Sequence, residues 1–105
     1  LVANARERGA ELSAGLRRLM AEDERIGDVR GPGLMIGVEL VRDRATREPD
    51  GDLATSMLAR CAELGLLVLS CGHAHQVIRF VAPLDVTAAE IAEGVEIFGE
   101  ALRTV

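Results

Sequence analysis

Apolar residues recur along this chain in two rhythms, and the change from one to the other lays out its elements. Between about Ala3 and Ala21, Leu12, Leu16, Leu19 and Met20 fall at i, i+4, i+7 and i+8, with Arg6, Glu7, Arg17 and Arg18 between them. That spacing gathers the apolar side chains on one stripe of an amphipathic helix. Ile26 to Val41 is rich in β-formers and is divided by Gly31-Pro32-Gly33. Pro suits position i+1 of a type II turn and Gly the positive φ required at i+2, so the segment predicts a hairpin. Its second strand, Leu34 to Val41, is apolar on both faces except at Glu39, the pattern of a central strand covered on two sides.

Arg42 to Gly51 is charged, contains Pro49-Asp50-Gly51 and has no period, which predicts a surface loop. Leu53, Met57, Cys61 and Leu64 then return to helical spacing, and Gly65 follows where a left-handed C-cap residue belongs. Leu66 to Ser70 reads as a short apolar strand and Cys71 to His75 as a turn. Gln76 to Val81 reads as another strand, ended by Pro83. Thr87-Ala88-Ala89-Glu90 matches the capping box, and Ile91, Val95, Phe98 and Leu102 continue one helical face. The order predicts an α+β fold, a small, largely antiparallel sheet covered by helices, in one domain spanning residues 1–105. The chain starts inside a helix, at Leu1 and without a cap, and so reads as cut from something longer.

Composition narrows the function classes. The net charge of -5 is spread through the sequence, without the clustered basic face of a nucleic-acid binder. No apolar run reaches the length of a membrane span and no signal-peptide pattern opens the chain, so a cytoplasmic setting is expected. Cys61 and Cys71 read as free thiols. All twelve basic residues are arginine. Without lysine the chain has no side-chain amine for Schiff-base chemistry.

Three groups of residues invite a chemical reading. Gly31, Gly33 and Gly37 resemble a phosphate loop only superficially, because they lead into a strand and not a helix N-terminus, so a turn is expected. Cys71, His73 and His75 could offer thiolate and imidazole to zinc, or act as nucleophile and base. A fourth ligand and an orienting carboxylate are missing nearby, so ordinary turn residues are expected. Arg79 is set among Val77, Ile78, Phe80 and Val81, where a permanent charge is costly unless paired. It is either a solvent-face residue of the strand or a planar fork for a ligand carboxylate, and the residues alone leave the two about even.

The chain resembles a family along its whole length. Arg30 to Leu40, Thr46-Arg47-Glu48-Pro49, Gly65 to Gly72, Val77-Ile78-Arg79-Phe80 and Pro83-Leu84 are similar, in order, to the C-terminal small domain of class III aminotransferases. The resemblance implies the small domain of a fold-type I transferase dependent on pyridoxal 5'-phosphate, with Arg79 binding the substrate carboxylate. It implies no catalytic, cofactor-binding or metal-binding residue in this chain, since the cofactor lysine belongs to a large domain. Cys71-Gly72 is most similar to the 4-aminobutyrate branch. The implied enzyme moves an amino group from 4-aminobutyrate or a related ω-amino acid to 2-oxoglutarate, as a homodimer. Two other readings are a free-standing α+β amino-acid-binding or regulatory module, and an interaction domain whose first-helix stripe docks on a partner. The missing lysine makes one direct prediction. Borohydride reduction of this chain mixed with pyridoxal phosphate is expected to leave no stoichiometric side-chain adduct by mass spectrometry; one mapped to any side chain would contradict it.

Overall fold

The computed structural model describes residues 1–105. Its elements are α1 (Val2–Glu22), β1 (Ile26–Arg30), β2 (Met35–Asp43), β3 (Glu48–Pro49), α2 (Gly51–Glu63), β4 (Leu69–Cys71), β5 (Val77–Val81) and α3 (Ala88–Thr104). The strands form one antiparallel sheet in the order β1-β2-β5-β4, with β3 added to β2. The predicted α+β class is observed, and the element order matches except for β3, which lies in the segment expected to be a loop.

Two helix ends are closed by neighbouring residues and one by a distant side chain. At α3, Thr87 Oγ1 accepts from the Glu90 N–H at 3.1 Å and Glu90 Oε1 accepts from the Thr87 N–H at 2.9 Å, which closes the capping box. At α2, Gly65 takes φ +95°. The Leu66 N–H returns to Cys61 O at 2.8 Å and the Gly65 N–H to Ala62 O at 3.1 Å, the paired bonds of a Schellman stop. The end of α1 is closed by Arg44, whose Nη2 donates to Met20 O at 2.8 Å and Asp23 O at 3.0 Å.

The core lies between the helices and one face of the sheet. Leu12 and Leu16 of α1, Met57 and Cys61 of α2, and Phe98 and Leu102 of α3 meet Ile36, Val38, Leu40, Ile78 and Phe80. Phe98 sits edge-on to Phe80, ring centroids 5.2 Å apart. The apolar stripe of α1 is therefore used within the domain, which removes it as a partner-docking face. The large exposed apolar residues include Val2 at the first turn of α1 and Met35, Leu69 and Val81 on the strands.

Several boundaries differ from expectation, each for a local reason. β2 is central, but every helix packs on the same face of it; on the other, Met35 is 57% exposed at one end while Val41, outside the core cluster, is buried at the far end. The hairpin turn starts one residue later than predicted. The Met35 N–H bonds to Pro32 O at 3.1 Å, so Pro32 is the first turn residue and Gly33, at φ +55°, the second. The expected loop after residue 41 holds the end of β2 and the two residues of β3, since Asp43 Oδ1 accepts from the Ala45 N–H at 2.8 Å and folds the chain back. β4 starts at Leu69 rather than Leu66, because the helix stop uses Leu66 and Leu67 remains exposed.

Two glycines make opposite predictions for one substitution. A Cβ at Gly9 would run into the Gly33 carbonyl, whereas at Gly94 the nearest atom is Leu66 Cδ1 at 3.9 Å. Gly9→Ala is expected to destabilise by about 1–3 kcal/mol through overpacking against backbone. Gly94→Ala is expected to stabilise by about 0.5–1 kcal/mol by removing helix-interior glycine. Denaturant titration of both variants checks the signs.

Candidate functional site

The sheet's second face carries the chemistry. Because opposed residues in antiparallel strands point the same way, the register Arg30↔Gly37↔Arg79↔Leu69 forms one row across β1, β2, β5 and β4. Strands are about 4.8 Å apart, so the two arginines are separated by roughly 10 Å with only a glycine between them. The space above Gly37 is an open groove of about 560 Å³, lined also by Cys71 and Gly72.

Arg79 lies on this face in mid-strand, between buried Ile78 and Phe80, with its side chain exposed. Period two thus resolves its charge problem: the guanidinium points away from the core. Arg6, Arg18 and Arg79 are the arginines without a hydrogen bond or ion pair, and only Arg79 stands on the sheet. Arg30, across the groove, is already engaged, with Nη1 3.0 Å from Asp28 Oδ2 and 3.8 Å from Glu39 Oε1.

The far end of the face is closed by a polar cluster centred on Glu39, the one charged position within the run Leu34 to Val41. Its Oε1 accepts from Arg47 Nη2 at 2.8 Å, and its Oε2 faces Gln76 Nε2 at 3.4 Å. The Arg47 hydrogen bond holds the Glu39 carboxyl below its ordinary range, against the opposing effect of burial. Arg47 reaches it from a residue at φ +61°, uncommon for a side chain of this size.

His73 and His75 are exposed and Cys71 half-buried, on a turn where Gly72 has φ +97° and His75 φ +56°. No three His, Cys, Asp or Glu side chains are grouped to hold a metal ion. Both cysteines are free, and burial pushes the Cys61 thiol up to about 11, which keeps it protonated in the core. Gly31 and Gly37 line the groove, whereas Gly33 is a residue of the hairpin turn. Sequence reasoning missed Gln76; a lone amide within an apolar run was the available signal.

One-sided α+β layering with an arginine-bearing open face defines the fold class, and comparison with known proteins places it. The family model described as aminotransferase class-III matches residues 1–102. The chain belongs to the class-III aminotransferase family. It is 40% identical over 92 residues to 5-aminovalerate aminotransferase DavT of Pseudomonas aeruginosa, covering 88% of this chain and 22% of that protein. It is 38% identical over 100 residues to 4-aminobutyrate aminotransferase GabT of Escherichia coli, covering 95% and 24%. Among solved structures it is similar to the ω-transaminase of Pseudomonas jessenii in complex with PMP, with TM-score 0.86, 32% identity and coverage of 96% and 22%. The chain spans about a quarter or less of the length of these relatives.

The Glu39 cluster makes a pH prediction. A carboxyl whose folded value is depressed contributes stability that is present above the unfolded value and lost as pH falls through the folded one. The advantage of the native chain over Glu39→Gln is therefore expected to be full above the ordinary value of 4.5 and to shrink below it. Urea midpoints of both proteins from pH 7 to pH 3 test this, and a gap that widens on acidification would contradict it.

Proposed function

We propose that this chain is the C-terminal small domain of a pyridoxal-phosphate-dependent aminotransferase in which Arg79 binds the substrate carboxylate. The observation that carries the reading is the geometry of Arg79: an unpaired guanidinium, fixed in mid-strand, beside an open groove. A guanidinium offers a planar pair of donors that matches a carboxylate, and such charge-assisted pairs are the strong ones. When the rest of the enzyme covers this face, a charge that water now solvates needs a counter-charge. A substrate carboxylate provides it.

The residues present do not form a cofactor site by themselves. The chain has no lysine to hold pyridoxal phosphate. The N-termini of α2 and α3, where a phosphate could bind, are occupied by their own caps, Asp50 and the Thr87–Glu90 box. On this reading the cofactor, its lysine and the phosphate contacts come from the large domain, and the cofactor carries the amino group between donor and acceptor. Arg79 contributes binding and orientation, holding one end of the substrate so that its amine is presented in register.

The names of the two relatives support an ω-amino acid, 4-aminobutyrate or one of similar length, as donor. We assign 2-oxoglutarate as acceptor, a homodimer as the assembly and the cytoplasm as the setting. A free-standing binding module would account for Arg79 but not for family membership along nearly the whole chain.

Hydrogen bonds to charged groups are worth about 1.5–3 kcal/mol and each ~1.4 kcal/mol is tenfold. In the complete enzyme Arg79→Ala is therefore expected to lower kcat/KM for carboxylate-bearing donors roughly ten- to a few-hundred-fold, and to spare amines without a carboxylate. Arg79→Lys keeps the charge without the planar fork and should recover only part of the loss. Steady-state kinetics on both substrate classes decide, and an equal loss on both would remove carboxylate recognition from Arg79.

A further inference from the structure

Gln76 is the one polar residue among the fully buried side chains, at 2% exposure. A buried amide is costly unless its donors and acceptor are used, and a Leu or Met would fill similar space without that cost. The amide is used. Oε1 accepts from the Ala74 N–H at 3.1 Å, while Nε2 lies 3.4 Å from both Glu39 Oε2 and His73 Nδ1. The backbone joins in, with Gln76 O accepting from the Leu40 N–H at 2.8 Å.

These contacts connect two parts of the open face. On one side is the turn Gly72 to His75, which bends through two positive φ values and is closed by the His75 N–H on Gly72 O at 3.2 Å. Left-handed backbone at His75 persists only where its surroundings enforce it. On the other side is Glu39, itself gripped by Arg47 and Arg30. A Cβ at Gly72 would come within 2.6 Å of Gln76 Oε1, so turn and amide interlock without spare space. Cys71 and Gly72 form a wall of the groove beside Arg79, and β5 begins at the residue after Gln76.

We propose that Gln76 is a positioning residue for Arg79: its amide ties the Gly72–His75 turn to Glu39 and so fixes the groove wall against which the Arg79 guanidinium meets a carboxylate. The proposal rests on the carboxylate reading of Arg79. Gln76 touches no substrate on this view. It acts through the turn, and its loss should weaken substrate binding more than turnover.

The test uses the full-length, cofactor-loaded enzyme with 4-aminobutyrate as donor, comparing Gln76→Met, Glu39→Gln and Arg79→Ala. Gln76→Met keeps length and removes every side-chain polar contact. It is expected to raise KM roughly fivefold or more, the factor that one lost buried hydrogen bond commands, with kcat little changed. Hydrogen exchange at residues 72–75 should quicken in the same variant while the helices keep their protection. Glu39→Gln should move KM and exchange in the same direction by less, and it decides the matter if Gln76→Met does not fold. An effective Arg79→Ala beside an unchanged KM in Gln76→Met would overturn the Gln76 assignment alone. So would a fall in kcat with KM and turn exchange unmoved. A silent Arg79→Ala would overturn the carboxylate reading and this proposal together.

Discussion

The whole arrangement depends on one-sided burial of the sheet. All three helices cover the face that bears Ile36, Val38, Leu40, Ile78 and Phe80, and none covers the other. Burying such side chains stabilises by about 1.5–3 kcal/mol each, so this face holds the domain together and fixes the register of every strand. The register then dictates what the free face displays. Once Ile78 and Phe80 face inward, Arg79 must face outward, opposite Gly37 and Leu69. A permanent charge in the middle of an apolar strand is thus tolerated at little cost, and it restricts what can later cover the face to something that brings negative charge.

The absence of lysine has a structural counterpart. Arg44 spreads one Nη2 over the carbonyls of Met20, Asp23 and Ile26, and Arg25 bonds Asp23 while donating to Leu102 O at 2.7 Å, at the end of α3. Arg17 donates to Val29 O at 2.8 Å. Guanidinium groups here close helix ends and join α1 to β1 and α3, using several donors in a fixed plane. Against that background an arginine with no partner is informative. Arg6 and Arg18 project from the exposed side of α1, where water suffices. Arg79 stands on the face the helices leave bare.

What could be read from the sequence was whatever depends on neighbours a few residues away. The stripe of α1, the capping box at Thr87 and Glu90, the stop at Gly65 and the two-strand division at Gly31–Gly33 are local, and the structure contains them. What could not be read depends on pairing at a distance. Whether β2 is covered on one side or two is decided by which face three separate helices choose. The start of β4 depends on how much chain the α2 stop consumes. The contact of Gln76 with Glu39 joins residues 37 apart and exists only in one register of β2 against β5. Arg79 falls between these cases: its oddity was visible in the sequence, but its choice of face needed the register.

The same register bears on substrate length. Donors such as 4-aminobutyrate and 5-aminovalerate differ by one methylene, and discrimination of that size is worth only about 1–3 kcal/mol in an apolar site. A carboxylate anchor cannot count methylenes by itself. It does so only if the distance from the anchor to the reacting atom is fixed, so that a chain one carbon too long or too short presents its amine out of place. β5 is bonded on both edges, to β2 and β4, which fixes the backbone from which Arg79 reaches. On the proposed function, the other end of that distance belongs to the large domain that holds the cofactor. On the proposed function, length specificity is therefore a property of how the two parts dock, with Arg79 as the fixed point, and substitutions at the docking surface should shift chain-length preference without altering the requirement for a carboxylate.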